Sequence, residues 1–161
     1  LKGRGTEVRM ILVGDTKNSN PRAVPEEKIR AWVAQGLIEW MGRRNDMPNV
    51  LAQCQIVCLP TVYGEGVPKI LLEAAATGRP IVSTDIAGCR EVVEHEVNGL
   101  LVPPGDSLAL ADAVERLIND VGLRARMGQS GRRIAEKKFS DALIANQTIA
   151  TYRLLVEQCL A

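Results

Sequence analysis

The chain has 161 residues, 46% of them hydrophobic and 24% charged, and a formal net charge of +1. These values are typical of one globular domain with a substantial core. The near-neutral charge and the presence of only two Trp, two Tyr and one Phe argue against a nucleic-acid partner. No apolar run approaches the roughly 20 residues of a membrane span.

Strand-like and helix-like segments alternate along the chain. Apolar runs predict strands at 8–13, 37–41, 56–59, 81–83 and 100–102, and their continuous apolarity is typical of parallel sheets covered on both faces. Helices are predicted from 25 to 35, around 48–51, from 68, at 90–94, from 107, at 123–138 and at 140–158. The first is expected to turn Ile29, Trp32 and Val33 inward, and the last three to pack through their apolar positions. The loops after the strands, at Gly14, Gly42, Thr61 and Asp85, are predicted to share one edge.

The stretch between the third and fourth predicted strands has the most informative composition. Glu65 stands between Gly64 and Gly66, which allow the backbone to approach a ligand closely, and the following helix start attracts anions such as phosphate. Glu73 stands on an almost wholly apolar helix, where a carboxylate needs a partner or water. The sequence offers no obvious local cation for it, since Lys69 is four residues earlier.

Several residues of these loops have two interpretations. Lys69 opposes the helix dipole, so either an anion compensates it or its side chain points to water. Thr61 and Tyr63 can contact ribose or base, but packing explains them nearly as well. Arg43 and Arg44 either face a nucleotide or form a solvated loop pair. The four cysteines lack metal-binding spacing and are predicted to be buried free thiols: Cys54, Cys58, Cys89 and Cys159.

The ordered series EGVPKILLEAAATGRPIV, STDIAGCREVV and NGLLVPPGD resembles the C-terminal, donor-binding domain of retaining GT-B glycosyltransferases of family 4, over residues 8–155. The resemblance implies an α/β fold with a Rossmann-like parallel sheet flanked by helices, and residues 1–161 as a single nucleotide-sugar-binding domain. It also implies a fragment. The acceptor domain, the first strand and helix of this domain, and the arginine and lysine that neutralise the diphosphate would precede Leu1, so we expect donor binding without turnover.

The resemblance also assigns roles to the site residues. It implies that Glu65 is the catalytic residue that binds hydroxyls of the transferred sugar, and that Glu73 holds the ribose hydroxyls. The other implied donor-binding residues are Gly66, Val67, Lys69, Thr61, Tyr63, Gly42, Arg43 and Arg44. It implies no cofactor and no metal ion, and a nucleotide-diphosphate sugar, of the UDP type, as substrate.

The implied function is retaining transfer of a hexose to a glycan or a polyprenyl-linked acceptor, held through the missing N-terminal domain. The wording of the motifs resembles bacterial capsule and lipopolysaccharide enzymes, so a cytoplasmic protein at the inner face of the membrane, peripherally associated with it, is expected. Two alternatives remain. One is a nucleotide-sugar epimerase on the GT-B scaffold, and the other is a non-catalytic, flavodoxin-like signalling or interaction module.

Overall fold

A computed structural model describes residues 1–16, 23–64 and 66–160. The chain forms two compact units, Leu1–Asn49 and Val50–Ala161. Both are built from parallel strands connected through helices, as the sequence predicts.

The first unit contains two short parallel strands and one helix. Strand β1 (Ile11–Leu12) pairs with β2 (Glu39–Trp40), and helix α1 (Glu26–Ala34) packs on β2. Both strands are shorter than predicted. Ile29 is the buried residue of α1, whereas Val33 is 41% exposed, so its predicted inward position is wrong. A sheet of two short strands covers only a narrow stripe of the helix.

The second unit contains a three-stranded parallel sheet, in the order β3-β4-β5. Val57 of β3 pairs with Ile81 of β4, which pairs with Gly99 of β5. Helix α2 precedes the sheet, at the boundary with the first unit, and three long helices follow it. The elements are α2 (Met47–Ala52), β3 (Val57–Leu59), α3 (Lys69–Ala76), β4 (Ile81–Thr84), α4 (Ala87–Arg90), β5 (Gly99–Val102), α5 (Ser107–Asn119), α6 (Val121–Lys138) and α7 (Asp141–Leu160).

Helix α3 is the centre of the core of the second unit. It packs on β3, β4 and α6, and Leu71, Ala74 and Ala75 are fully buried. The contact with α6 is close because Gly128 has no side chain. A Cβ atom there would lie 2.2 Å from the carbonyl oxygen of Gly78. The predicted strand–loop–helix–strand unit around α3 is therefore confirmed.

Two predicted features of this unit are wrong. The short helix expected at 90–94 is found earlier, at Ala87–Arg90, because the extended Ile86 ends the preceding turn and Cys89 packs into the core. The apolar positions of α7 are not packed as expected, since Ile149, Tyr152 and Leu154 are 48%, 66% and 60% exposed. The described residues of the second unit provide no cover for these side chains.

Candidate functional site

The carboxyl ends of β3 and β4 are fastened together by two side-chain hydrogen bonds. The hydroxyl of Ser83 donates to the carbonyl oxygen of Leu59 at 2.8 Å, and the hydroxyl of Thr84 donates to the carbonyl oxygen of Thr61. Ser83 and Thr84 are buried, so both side chains have a structural role in the sheet. The loops that follow the two strands therefore begin side by side, as expected for parallel strands. Thr61 contributes its carbonyl oxygen to this arrangement, and its hydroxyl accepts from the backbone N–H of Tyr63 at 3.3 Å.

The glycine-rich segment after β3 is open to solvent. Gly64, Gly66 and Val67 are exposed, and Tyr63 is 44% exposed. A Cβ atom at Gly64 or Gly66 would meet nothing within 4 Å, and neither glycine has a positive φ. Neither packing nor backbone conformation therefore requires a glycine at these positions. Glu65, the predicted catalytic residue, lies outside the described residues.

Helix α3 begins immediately after Pro68, which is the N-cap and not the first helical residue as predicted. Pro68 provides no side-chain hydrogen bond to the helix start, and the first turn contains no acidic residue. The first-turn side chain that carries charge is the cation Lys69. The start of α3 thus has neither a side-chain cap nor a favourable charge for the helix dipole.

Glu73 lies one turn further along α3, and its side chain is 29% exposed. The ammonium nitrogen of Lys69 lies 3.3 Å from a carboxylate oxygen of Glu73. The expectation that Glu73 has no local cation is therefore wrong, because residues four apart on a helix are neighbours. Lys69 is 86% exposed, so the pair lies at the surface and the Glu73 carboxylate can be reached from solvent.

The arginines predicted to face a nucleotide belong to the first unit, in the loop after β2. Gly42 adopts a φ of +63°, and its carbonyl oxygen accepts from the backbone N–H of Gly14 at 2.8 Å. Arg43 is exposed. Arg44 donates twice to Asp46, at 2.9 and 2.7 Å, and these hydrogen bonds hold the pKa of Asp46 below its usual range. The guanidinium of Arg44 therefore already has a carboxylate partner.

Sequence reasoning missed two features at the carboxyl edge of β3–β5. Arg90 of α4 forms an ion pair with Asp85 at 3.3 Å, in the loop after β4. A shallow pocket of about 130 Å³ also lies at this edge, lined by residues such as Pro60, Val62 and Leu110. The pocket had no sequence signal because its walls come from segments far apart in the chain, namely the loop after β3, the end of β4, and the stretch from the end of β5 into α5.

The cysteines and acidic residues form no cluster typical of a metal site within the described ranges. Cys89 is buried and Cys54 is half-buried, but Cys58 is exposed, which contradicts its predicted burial. Successive strand residues point to opposite faces, and Val57 takes the buried face of β3. As for membrane spans, none of the described helices is both long enough and apolar enough to cross a bilayer.

The family of this chain is shown by a match over residues 1–120 to the glycosyl transferases group 1. The chain belongs to this family of glycosyltransferases. It is 30% identical over 158 residues to alpha-D-kanosaminyltransferase of Streptomyces kanamyceticus, covering 95% of this chain and 39% of the relative. It is 25% identical to the capsular polysaccharide biosynthesis glycosyltransferase CapM of Staphylococcus aureus, covering 98% of this chain and 41% of CapM. The chain thus spans about two fifths of the length of these relatives.

Solved structures also show similarity to this chain. The chain is similar to Anabaena HepE in complex with UDP, with a TM-score of 0.82 and 31% identity over 91% of this chain and 41% of HepE. HepE has also been solved with UDP-glucose, and that structure matches with a TM-score of 0.81. The predicted fold class, an α/β parallel sheet flanked by helices as in the C-terminal half of GT-B enzymes, is confirmed.

Proposed function

We propose that this chain is the donor-binding part of a glycosyltransferase, and that it binds a nucleotide-diphosphate sugar of the UDP type. The observation that carries the proposal is the similarity in sequence and fold to HepE, whose structures contain UDP and UDP-glucose. The partly exposed Glu73 carboxylate supports it, because a carboxylate can accept hydrogen bonds from both hydroxyls of a ribose. The exposed glycines Gly64 and Gly66 also support it, since packing does not explain them.

Within this function, Glu73 holds the ribose hydroxyls, and Glu65 contacts the transferred sugar as the catalytic residue. The backbone around Gly66 and Val67 approaches the sugar and the phosphates, beside Thr61 and Tyr63. In the first unit, Gly42, Arg43 and Arg44 belong to the loop that contacts the base. Of these two arginines, Arg43 is the better candidate, because Arg44 is bound to Asp46. No metal ion or cofactor takes part in the proposed transfer.

The full reaction that we propose is transfer of a hexose, with retention of anomeric configuration, to a glycan or polyprenyl-linked acceptor. The role of CapM in capsular polysaccharide biosynthesis supports a glycan acceptor. We place the full-length protein in the cytoplasm, peripherally associated with the inner face of the membrane that carries lipid-linked acceptors. NMR analysis of the anomeric configuration of the product, formed by the full-length protein, tests the retaining transfer.

The donor-binding role is tested by thermal unfolding of the 161-residue chain with UDP, GDP, UDP-glucose and uridine. A nucleotide at about 100 times its dissociation constant should stabilise the fold by about 2.7 kcal/mol. Glu73→Gln should reduce this stabilisation. A matched control is Glu136→Gln, because Glu136 also pairs with a cation four residues away, Arg132 on α6. Donor binding through α3 is ruled out if no nucleotide stabilises the wild-type chain, or if both variants respond alike.

A further inference from the structure

The pair formed by Lys69 and Glu73 joins two side chains of very different exposure. The carboxylate of Glu73 is 29% exposed, whereas the side chain of Lys69 is 86% exposed. Their closest nitrogen and oxygen atoms are 3.3 Å apart, in an i,i+4 arrangement on α3. Exposed pairs of this kind contribute only about 0.3–0.5 kcal/mol, so the contact breaks readily. Lys69 can therefore leave Glu73 at little energetic cost when a better anion is present.

Two other cations of this unit differ from Lys69 in their partners. Arg90 pairs with the carboxylate of Asp85 at 3.3 Å. Arg79, at the far end of α3, donates to the carbonyl oxygen of Ala52 at 3.0 Å. Lys69, in contrast, lies two residues after the exposed Val67, and its side chain extends into solvent. Of these three cations, it is the one that a ligand beside Val67 would meet first.

We propose that Lys69 selects ligands of the donor site by their charge. This inference rests on the proposed function. In the free protein the ammonium of Lys69 pairs with Glu73. When a nucleoside diphosphate binds, the ammonium moves to the diphosphate, and the carboxylate of Glu73 is released to accept hydrogen bonds from the ribose hydroxyls. Uridine, which has no phosphate, offers Lys69 no competing anion and must displace it from Glu73 unaided.

The proposal predicts different effects of one substitution on two ligands. Lys69→Gln should weaken UDP binding about 5- to 20-fold, because a hydrogen bond between charged groups is lost. Uridine binding should stay within about twofold of the wild type, or become slightly tighter, because Glu73 is then unpaired. Lys69→Arg should retain most of the affinity for UDP. The UDP advantage should also shrink with added salt in the wild type and change little in Lys69→Gln.

Isothermal titration calorimetry of the 161-residue chain with UDP and with uridine measures these effects. Lys138→Gln is the matched control, because Lys138 also pairs with a glutamate, Glu94, at 2.7 Å. That pair lies away from the donor edge, since Glu94 precedes His95, which bridges to the first residue of β5. Lys138→Gln should leave the binding of both ligands unchanged.

Two results would overturn the role of Lys69. If Lys69→Gln leaves UDP binding unchanged, the side chain does not meet the diphosphate. If it weakens UDP and uridine equally, Lys69 acts only by positioning Glu73. In either case the donor-binding function still stands, provided that Glu73→Gln weakens both ligands. If the wild-type chain binds neither UDP nor uridine, the donor-binding function itself fails and this inference fails with it.

Discussion

Helices α3 and α7 are both rich in apolar residues but have opposite exposure. Leu71 of α3 is fully buried, whereas Leu154 and Leu155 of α7 are 60% and 51% exposed. The difference arises from the chain around each helix. Helix α3 connects two parallel strands, so the crossover holds it against the sheet, and it also packs against α6. Helix α7 follows α6 and leads to no further described strand. The apolar composition of a helix thus does not by itself determine its burial.

The largest expected effect on stability comes from making the same substitution, Leu to Ala, in each of the two helices. Leu71→Ala should destabilise the fold by about 2–5 kcal/mol, because it leaves a cavity in a fully packed region. Leu154→Ala, on the exposed helix, should change the free energy of unfolding by less than about 0.5 kcal/mol. Urea unfolding followed by circular dichroism measures both. Similar losses for the two variants would mean that α7 is covered in solution.

A second substitution tests the contact between α3 and α6. Gly128→Ala should destabilise the fold by about 1–3 kcal/mol, because its Cβ atom would overlap the backbone oxygen of Gly78. Gly131→Ala on the same buried face of α6 is the control. Its Cβ atom would lie 3.5 Å from Ala75, an ordinary contact, so it should stabilise the helix by about 0.5–1 kcal/mol. The same sign for both variants would show that the two helices are not closely packed at Gly78.

The parts of the fold that were predictable have strong local signals. Unbroken apolar runs, a Gly-rich loop and Pro68 specify β3, α3 and β4 within a few residues. Helix α4 was misplaced because its position depends on Cys89 entering the core, which is a tertiary contact. The exposure of α7 could not be predicted either. Helical spacing of apolar residues indicates a face that can be buried, but not whether anything covers it.

The sequence predicted the family of the candidate site better than it predicted the contacts of the individual side chains. The motif series identified the family, which the comparison confirms. The i,i+4 spacing of Lys69 and Glu73 is sufficient to predict their ion pair, so the sequence did contain a local cation for Glu73. The binding of Arg44 to Asp46 was open to a sequence argument as well, whereas the 29% exposure of Glu73 depends on tertiary packing. The roles assigned to the site residues, including Glu65, stay predictions.

A third test compares a buried hydroxyl in the sheet with an exposed one in α7. Ser83→Ala removes the hydrogen bond to Leu59 in a fully buried position, and should cost about 1–2 kcal/mol. The hydroxyl of Thr148 on α7 likewise donates to a backbone carbonyl, that of Ile144, at 2.8 Å, but it is exposed. Thr148→Ala should be neutral or slightly stabilising, because Ala favours the helix and water can replace the bond. If thermal unfolding shows the same loss of stability for Ser83→Ala and Thr148→Ala, burial does not determine what these two hydrogen bonds contribute.

The smallest effect concerns an exposed ion pair that holds α5 to the turn before β5. Arg116 donates to Glu96 at 2.8 Å, and this hydrogen bond holds the pKa of Glu96 below its usual value of 4.5. A lowered pKa in the folded state means that the pair stabilises the protein above the unfolded pKa. The contribution is lost as the pH falls through the folded pKa. Because both side chains are nearly half exposed, it should be below about 1 kcal/mol.

Glu96→Gln isolates this contribution, because Gln keeps the size of the side chain and the same strain at the positive φ of 65°. The wild type should be slightly more stable than Glu96→Gln at pH 7, and the two should converge below pH 4.5 as Glu96 becomes protonated. Unfolding in urea across this pH range measures the difference. His95, 3.8 Å from Glu96, adds to the attraction when it carries a charge. A gap that widens with falling pH would show that packing, and not the ion pair, holds α5 at this turn.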